Sequence, residues 1–416
     1  MQNPAAEKCS FCGTPVSKAS RMIKAKDGSM ICEACVRAMA EALDDVREKA
    51  ERPARSRRIM RPSQIKKKLD EYVVGQEEAK REIAVAVYNH CKRVERGAPR
   101  SDRDVEIAKS NILMIGPTGS GKTHIAQTLS RILDVPFAIA DATRLTQAGY
   151  VGEDVEDIIS RLLENAGGDV SKAEKGIVYI DEIDKIAKVQ GGAGRDASGE
   201  GVQQALLKIL EGTVAEVPVE PSRNVAVMNQ RQTVKVDTTN ILFICGGAFD
   251  GMDKILEAAR KESSPMGFMS PPKDAGPKTE SDGASAEDVV KYGLLPELVG
   301  RLPVIATLQP LNKETLISIL TEPKNAIVKQ YQELMRMDGI RMEFTSEALA
   351  KIADEALEKK LGARGLKSVM ERIVKNAMYE LPDVRGAKKV VFDEDSVKDG
   401  NPVVYDRKNN VMSGKR

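Results

Sequence analysis

The stretch that decides the fold is "NILMIGPTGSGKT", Asn111–Thr123. A short apolar run ends in a Gly-rich turn, and a helical pattern starts directly behind it. Such a turn lets successive backbone N–H groups point inward around phosphate oxygens, at the positive end of the following helix. The turn comprises Gly116, Pro117, Thr118, Gly119, Ser120, Gly121, Lys122 and Thr123. In this pattern Lys122 reaches toward β- and γ-phosphates and Thr123 supplies a hydroxyl for Mg²⁺. The plain alternative is a Gly-rich turn without a ligand. The strand before it and the helix behind it favour a nucleotide.

Outward from this turn, apolar runs alternate with helical stretches. After "NILMIG" come "PFAIAD" (Pro136–Asp141), "GIVYID" (Gly176–Asp181), "NILFICG" (Asn240–Gly246) and "PVIATL" (Pro303–Leu308). The alternation predicts an α/β fold, a parallel sheet with helices on both faces, with ligands at the carboxyl ends of the strands. Before it, "SQIKKKLDEYVVGQEEAKREIAVAVYNHCKRV" reads as two helices broken at Gly75, with Ser63 as N-cap. Beyond Asn312 the pattern predicts a smaller α+β unit, with strands near Ile340–Phe344 and in "KKVVFD". The expected organisation is a Cys-rich unit over 1–48, a basic linker over 49–62, a large unit over 63–311 and a small unit over 312–416. Three segments interrupt the pattern: Gln190–Gly201, Val217–Gln232 and Lys261–Ser285. Long irregular segments inside a domain are often functional.

"GIVYIDEID" delivers Asp181 and Glu182 to the sheet edge where the phosphate turn lies. Asp181 suits a Mg²⁺ shell. Glu182 suits the orientation and polarisation of an attacking water, the difference between binding ATP and hydrolysing it. A strand capped by solvated acids is the alternative. Charge developing on a transferred phosphoryl group also calls for cations. Arg301 in "VGRLP" and Arg364 in "LGARGLKS" offer them, although an Arg at a turn is more often a surface residue.

The chain holds six cysteines and two histidines. Cys9, Cys12, Cys32 and Cys35 form two C-x-x-C pairs, a pattern that makes a closed tetrahedral Zn²⁺ site. A redox pair is the alternative. With His90 and His124 the only imidazoles, His-based catalysis is hard to build.

"AGYVG", Ala148–Gly152, places Tyr150 and Val151 between glycines, ahead of a helix with Val155, Ile158, Ile159, Leu162 and Leu163 on one face. Tyr150 either covers a local apolar patch or projects as a contact.

Bulk composition excludes several classes. Net charge is +2 with 30% charged residues, so no bulk field calls for nucleic acid. The ten basic residues of Arg47–Lys68 read as a solvated linker or, less simply, as a nucleic-acid arm without interleaved aromatics. No apolar run is long enough to span a membrane, and the N-terminal residues show no targeting pattern, so a cytoplasmic location is expected.

Taken in order, the four-cysteine unit, "YVVGQEEAK", "GPTGSGKT", "AGYVGEDVE", "IVYIDEIDKI", "SGEGVQQALLKILEG", "ILFICGGAF", "LLPELVGRLPV" and "GARGLKS" resemble the ClpX family of AAA+ unfoldases, ATP-binding subunits of the Clp protease. The resemblance covers nearly the whole chain. It implies an AAA+ P-loop NTPase that unfolds tagged proteins with ATP, Mg²⁺ and one structural Zn²⁺ per subunit. It implies a homohexamer that threads substrates into a separate ClpP-type peptidase, and chaperone-like remodelling without it.

By matching position, Val73, Val74 and Gly75 would lie near the adenine. Arg301 would reach a neighbour's nucleotide, and Arg364 would sense the subunit's own. Tyr150 and Val151 would grip substrate, with a second pore loop near Arg195–Ser198. The cysteine unit would dimerise and receive substrates or adaptors. Met266, Gly267 and Phe268 would dock the peptidase. Two departures stand out. "PSRNVAVMNQRQ" carries Arg223 and Arg231 where the family commonly has Arg-Lys-His, and Met266 replaces a branched residue. A nucleic-acid motor or clamp-loader-like ATPase remains the competing class, and a chaperone that works without any peptidase is a third.

Overall fold

The computed structural model describes residues 8–15, 21–25, 28–40, 59–96, 105, 107–146, 153–188, 197–219, 232–252, 254–256, 283–359 and 362–413. They fall into two compact units, Met1–Ile59 and Met60–Arg416. In the first, β1 (Met22–Lys24) and β2 (Met30–Cys32) form an antiparallel pair, and a helix runs over 33–40.

The second unit begins with α1 (Pro62–Asp70) and α2 (Glu77–Arg96). The helix starts one residue before the expected cap: Arg61 is the N-cap, Pro62 opens the first turn, and Gln64 Oε1 accepts from Arg61 N at 3.0 Å. Proline suits that position because its fixed φ is already helical and its missing N–H is not needed there.

There follow β3 (Ile112–Ile115), α3 (Lys122–Leu133), β4 (Phe137–Asp141), α4 (Val155–Asn165), β5 (Ile177–Asp181), α5 (Ala197–Glu211), β6 (Val214–Val219), β7 (Gln232–Asp237), β8 (Leu242–Gly247), α6 (Ala286–Tyr292), α7 (Pro296–Gly300) and β9 (Val304–Thr307). Five strands make one parallel sheet in the order β4-β5-β8-β3-β9. Each of the five apolar runs read from the sequence supplies one of them.

Those runs are apolar throughout because both faces are covered. Ile112, Met114, Ile177, Tyr179, Leu242 and Ile244 face a core shared with α1, α2 and α3. Their neighbours Leu113, Ile115, Val178, Ile180, Phe243 and Cys245 face a second core with α4 and α5. The period of two thus survives as an alternation between cores rather than between core and water. The apolar face read on α4, Val155 to Leu163, is buried in the second core. At the edge strand β4, Asn165 Nδ2 donates to Phe137 O and Arg161 Nη1 to Ile139 O, which blunts an otherwise open edge.

The segment Val217–Gln232, expected to be irregular, is strand at both ends: β6 and β7 pair antiparallel from Val214↔Asp237 to Val219↔Gln232. Pro218 hides this in the sequence, yet a two-stranded ribbon tolerates proline because each strand has an unpaired edge.

The remaining elements are α8 (Lys313–Thr321), α9 (Ile327–Met337), β10 (Arg341–Phe344), α10 (Ser346–Glu358), α11 (Ala363–Glu380), β11 (Lys389–Phe392), α12 (Glu394–Asp399), β12 (Val403–Tyr405) and β13 (Val411–Ser413). Their sheet runs β10-β11-β12-β13 and packs on a third core led by Leu366, Val369, Met370, Ile373 and Phe392. Asn312 caps α8, its Oδ1 accepting from Thr315 N at 2.8 Å. Among the described residues, no helix is long and apolar enough to cross a membrane.

Candidate nucleotide site and cysteine cluster

The phosphate turn joins β3 to α3. Gly121 is the N-cap of α3 at φ 105°, a conformation that glycine adopts without penalty. Lys122 is buried, and its Nζ donates to Gly116 O at 2.6 Å and Pro117 O at 3.1 Å. Burial lowers its pKa, and Asp181, Asp184 and Asp250 oppose that shift. The amine is therefore folded back onto the carbonyls of its own turn, within reach of anything seated there. Ser120 Oγ is buried without a hydrogen-bond partner, a polar atom left for a ligand.

β5 brings the acids. Asp181 Oδ2 accepts from Thr123 Oγ1 at 3.1 Å, and Oδ1 accepts from Tyr179 OH at 3.1 Å and Glu182 N at 3.0 Å. A hydroxyl and a carboxylate in contact are the oxygen donors that Mg²⁺ takes. Glu182 stands next to them with a left-handed backbone, φ 57° and ψ 33°, and an exposed side chain. A non-glycine residue so placed is strained, and its neighbours must hold it. One of them is Asp184, whose buried Oδ1 accepts from Ala248 N at 3.0 Å and ties the end of β5 to the end of β8.

The third wall comes from the small α+β unit. Ala363 N donates to Gly119 O at 3.2 Å, so α11 starts on the phosphate turn itself. Gly362 permits this approach: at φ +54° a Cβ there would lie 3.0 Å from Gly119 O. Arg364 and Lys367, one helical turn apart, face the same cleft. Its volume is about 650 Å³, and Lys122, Thr123, Asp181 and Glu182 line it with the two cations. That volume is within the usual range for a small-molecule site.

Val73, Val74 and Gly75 do not line the cleft; their neighbour Tyr72 is one contact from it. Tyr72 O accepts from His124 Nε2 at 3.3 Å, and His124 lines the cleft. Val73 O accepts from the buried Lys80 Nζ at 3.2 Å, which fixes the segment. Arg301 is not in the cleft; it is half-exposed at the end of α7 and paired with Glu211. Tyr150, Val151, Arg195, Arg223, Arg231, Met266, Gly267 and Phe268 lie outside the described residues. The sequence reading missed His124, Asp184, Lys185, Asp250 and Lys367 as cleft residues. Asp184 and Lys185 carried a signal as the rest of "DEIDK", and Lys367 as the lysine of "GARGLKS".

In the first unit the ligand atoms of Cys9, Cys12, Cys32 and Cys35 all lie within 4.8 Å of one another. Cys9 and Cys35 sulfurs are 3.9 Å apart, those of Cys12 and Cys32 3.6 Å. Tetrahedral Zn–S bonds of about 2.3 Å require sulfurs about 3.8 Å apart. The cluster therefore fits Zn²⁺. Amide groups, chiefly that of Cys12, hold the Cys9 thiol down at about 6, whereas hydrogen bonding to Cys12 and Cys32 pushes Cys35 up to about 12. Four thiolates so close need a cation to ionise together.

Comparison with known proteins agrees with this geometry. Residues 107–305 match the AAA domain (Cdc48 subfamily), 311–389 the C-terminal, D2-small domain, of ClpB protein, and 7–45 the ClpX C4-type zinc finger. An ATP-dependent Clp protease ATP-binding subunit ClpX from Treponema denticola is 48% identical over 392 residues, 93% of this chain and 92% of the relative. One from Borrelia duttonii is 47% identical over 398 residues, 95% and 92%. With zinc finger, ATPase cleft and small unit in the same order and the likeness running over more than nine-tenths of its length, the chain belongs to the ClpX family of AAA+ ATPases.

Proposed function

We propose that the chain is an ATP-driven protein unfoldase and translocase that works as a hexameric ring. The supporting observation is one cleft where Lys122, the Thr123–Asp181 pair, Glu182 and Arg364 converge from three elements. On this reading residues 1–48 form the zinc-binding unit, 49–62 a linker, 63–311 the large ATPase unit and 312–416 the small one.

The turn Gly116–Thr123 holds the phosphates, with Val73, Val74 and Gly75 toward the adenine. Mg²⁺, when bound, neutralises charge on the β- and γ-phosphates. Thr123 and Asp181 hold its place. Lys122 leaves the carbonyls of Gly116 and Pro117 for the phosphates. Glu182 orients and polarises the attacking water, and its strained backbone aims the carboxylate at the cleft. Arg364 couples nucleotide to the small unit, and Arg301 serves a neighbouring subunit. Tyr150 and Val151 grip the substrate. Met266, Gly267 and Phe268 dock a ClpP-type peptidase, because the relatives are named as Clp protease subunits. One zinc ion on Cys9, Cys12, Cys32 and Cys35 folds the N-terminal unit, which receives tagged substrates and adaptors. The cytoplasm is the compartment this activity calls for.

Degradation of a folded, tagged reporter tests the reading. Loss of the reporter should require this chain, ATP and a separate ClpP-type peptidase together; unfolding without loss should persist when the peptidase is left out. Stimulation of ATP hydrolysis by single-stranded DNA but not by unfolded protein would overturn it.

A further inference from the structure

Arg301 is held at both its backbone and its side chain by residues to which no role attaches so far. Asn111 stands at the start of β3 and is 1% exposed. Its Nδ2 donates to Arg301 O at 2.9 Å and to Leu210 O at 3.2 Å, and its Oδ1 accepts from Phe243 N at 3.4 Å. One buried amide thus uses all its hydrogens to bring the end of α5 beside the end of α7. The next residue of α5 is Glu211. Its Oε1 accepts from Arg301 Nε at 2.9 Å and lies 2.7 Å from Nη2.

The geometry leaves the guanidinium half used. The Nε–Nη2 edge is taken by Glu211; among the described residues Nη1 has no partner, and the side chain is 54% exposed. A guanidinium held by one edge presents the other, and an edge with two N–H donors suits phosphate oxygens. An ion pair this exposed contributes little to stability. Its consequence is directional: a long side chain with many rotamers is biased toward one orientation.

We infer that Asn111 and Glu211 are the positioning residues of Arg301: Asn111 sets its backbone, and Glu211 aims its free edge outward at the phosphate of a neighbouring subunit's nucleotide. This rests on the reading of Arg301 as an arginine supplied in trans. It also makes β3 a shared support, with the phosphate turn at one end and the base of the arginine at the other.

The test uses the full chain with ATP. Arginines of this kind are worth 10³–10⁵ in turnover; an exposed pair biases its side chain only several-fold, so Glu211→Ala should lower kcat by roughly threefold to fivefold. KM for ATP and the thermal midpoint should stay within error, because Glu211 does not line the cleft. Glu211→Gln keeps an accepting oxygen and should recover most of the loss. Rings doped with Glu182→Gln subunits, which carry an intact Arg301–Glu211 pair, should restore turnover in Glu211→Ala neighbours. Normal turnover in Glu211→Ala, beside a dead Arg301→Ala, would overturn the positioning role and leave the reading of Arg301 intact. A raised KM with kcat retained would overturn it too, since Glu211 would then act on nucleotide binding rather than on the turnover that an aimed arginine supplies. Full turnover in Arg301→Ala would instead remove the reading on which the inference rests.

Discussion

Thr123 Oγ1 donates to Asp181 Oδ2 at 3.1 Å, so two residues 58 positions apart meet where a metal-bound phosphate would sit. The bond needs β3 and β5 in one sheet with β8 between them. Asp181→Asn should preserve the fold, since amide and carboxylate have the same shape. It should lower Mg²⁺-dependent ATP turnover by roughly 10- to 100-fold. Titration of turnover against Mg²⁺ checks this; an unmoved half-point would separate Asp181 from the metal.

Glu182 combines a cleft-lining carboxylate with a strained backbone. Glu182→Gln should slow hydrolysis by roughly 100- to 10,000-fold with ATP binding retained, as loss of a general base does. Glu182→Gly should be equally inactive yet more stable by about 1 kcal/mol, because glycine adopts φ 57° freely. Nucleotide affinity and thermal melting, measured on both variants, distinguish the two effects.

Gly362 lets α11 begin on the phosphate turn. Gly362→Ala adds a Cβ against Gly119 O at a backbone angle that disfavours it, a cost of about 1 kcal/mol confined to the docked state. ATP affinity should fall about fivefold, while the large unit's melting stays unchanged. An Arg364→Ala variant should reproduce the loss without the strain.

His90 is buried on α2 near Arg93 and Lys109, and burial, reinforced by those cations, pushes its pKa from 6.5 down to about 3. The unfolded chain therefore binds the proton more tightly. The neutral imidazole's stability is fully present above pH 6.5 and is lost as pH falls toward 3. At pH 5 the loss is about 2 kcal/mol. His90→Gln should flatten that part of the stability–pH curve. An unchanged slope between pH 6.5 and 5 in urea unfolding would assign the acid sensitivity elsewhere.

The four sulfurs of the N-terminal unit should hold one zinc per chain, and Cys12→Ser should abolish it. Chelation should unfold this unit alone, read as proteolysis within residues 8–40 with ATP turnover retained. Retention of the fold after metal removal would point to a redox pair instead.

Much of this protein was legible in its order of residues. Local chemistry determined the phosphate turn, the acid-ended strand and the two C-x-x-C pairs, because each depends on residue types at short spacing. Five apolar runs between helical patterns determined a parallel sheet, since only strands covered on both faces lack a polar side. What lay beyond reach was anything built from distant partners. The pairing of Val214–Val219 with Gln232–Asp237, the seating of Gly362 on Gly119 and the capture of Arg301 by Asn111 and Glu211 leave no local pattern. Side chains far apart in the chain are brought together by the burial of whole faces, and spacing carries no record of that. The sequence by itself determined which chemistry the chain could carry. Only the tertiary structure decided which residues aim it, because aim depends on where the packed elements end.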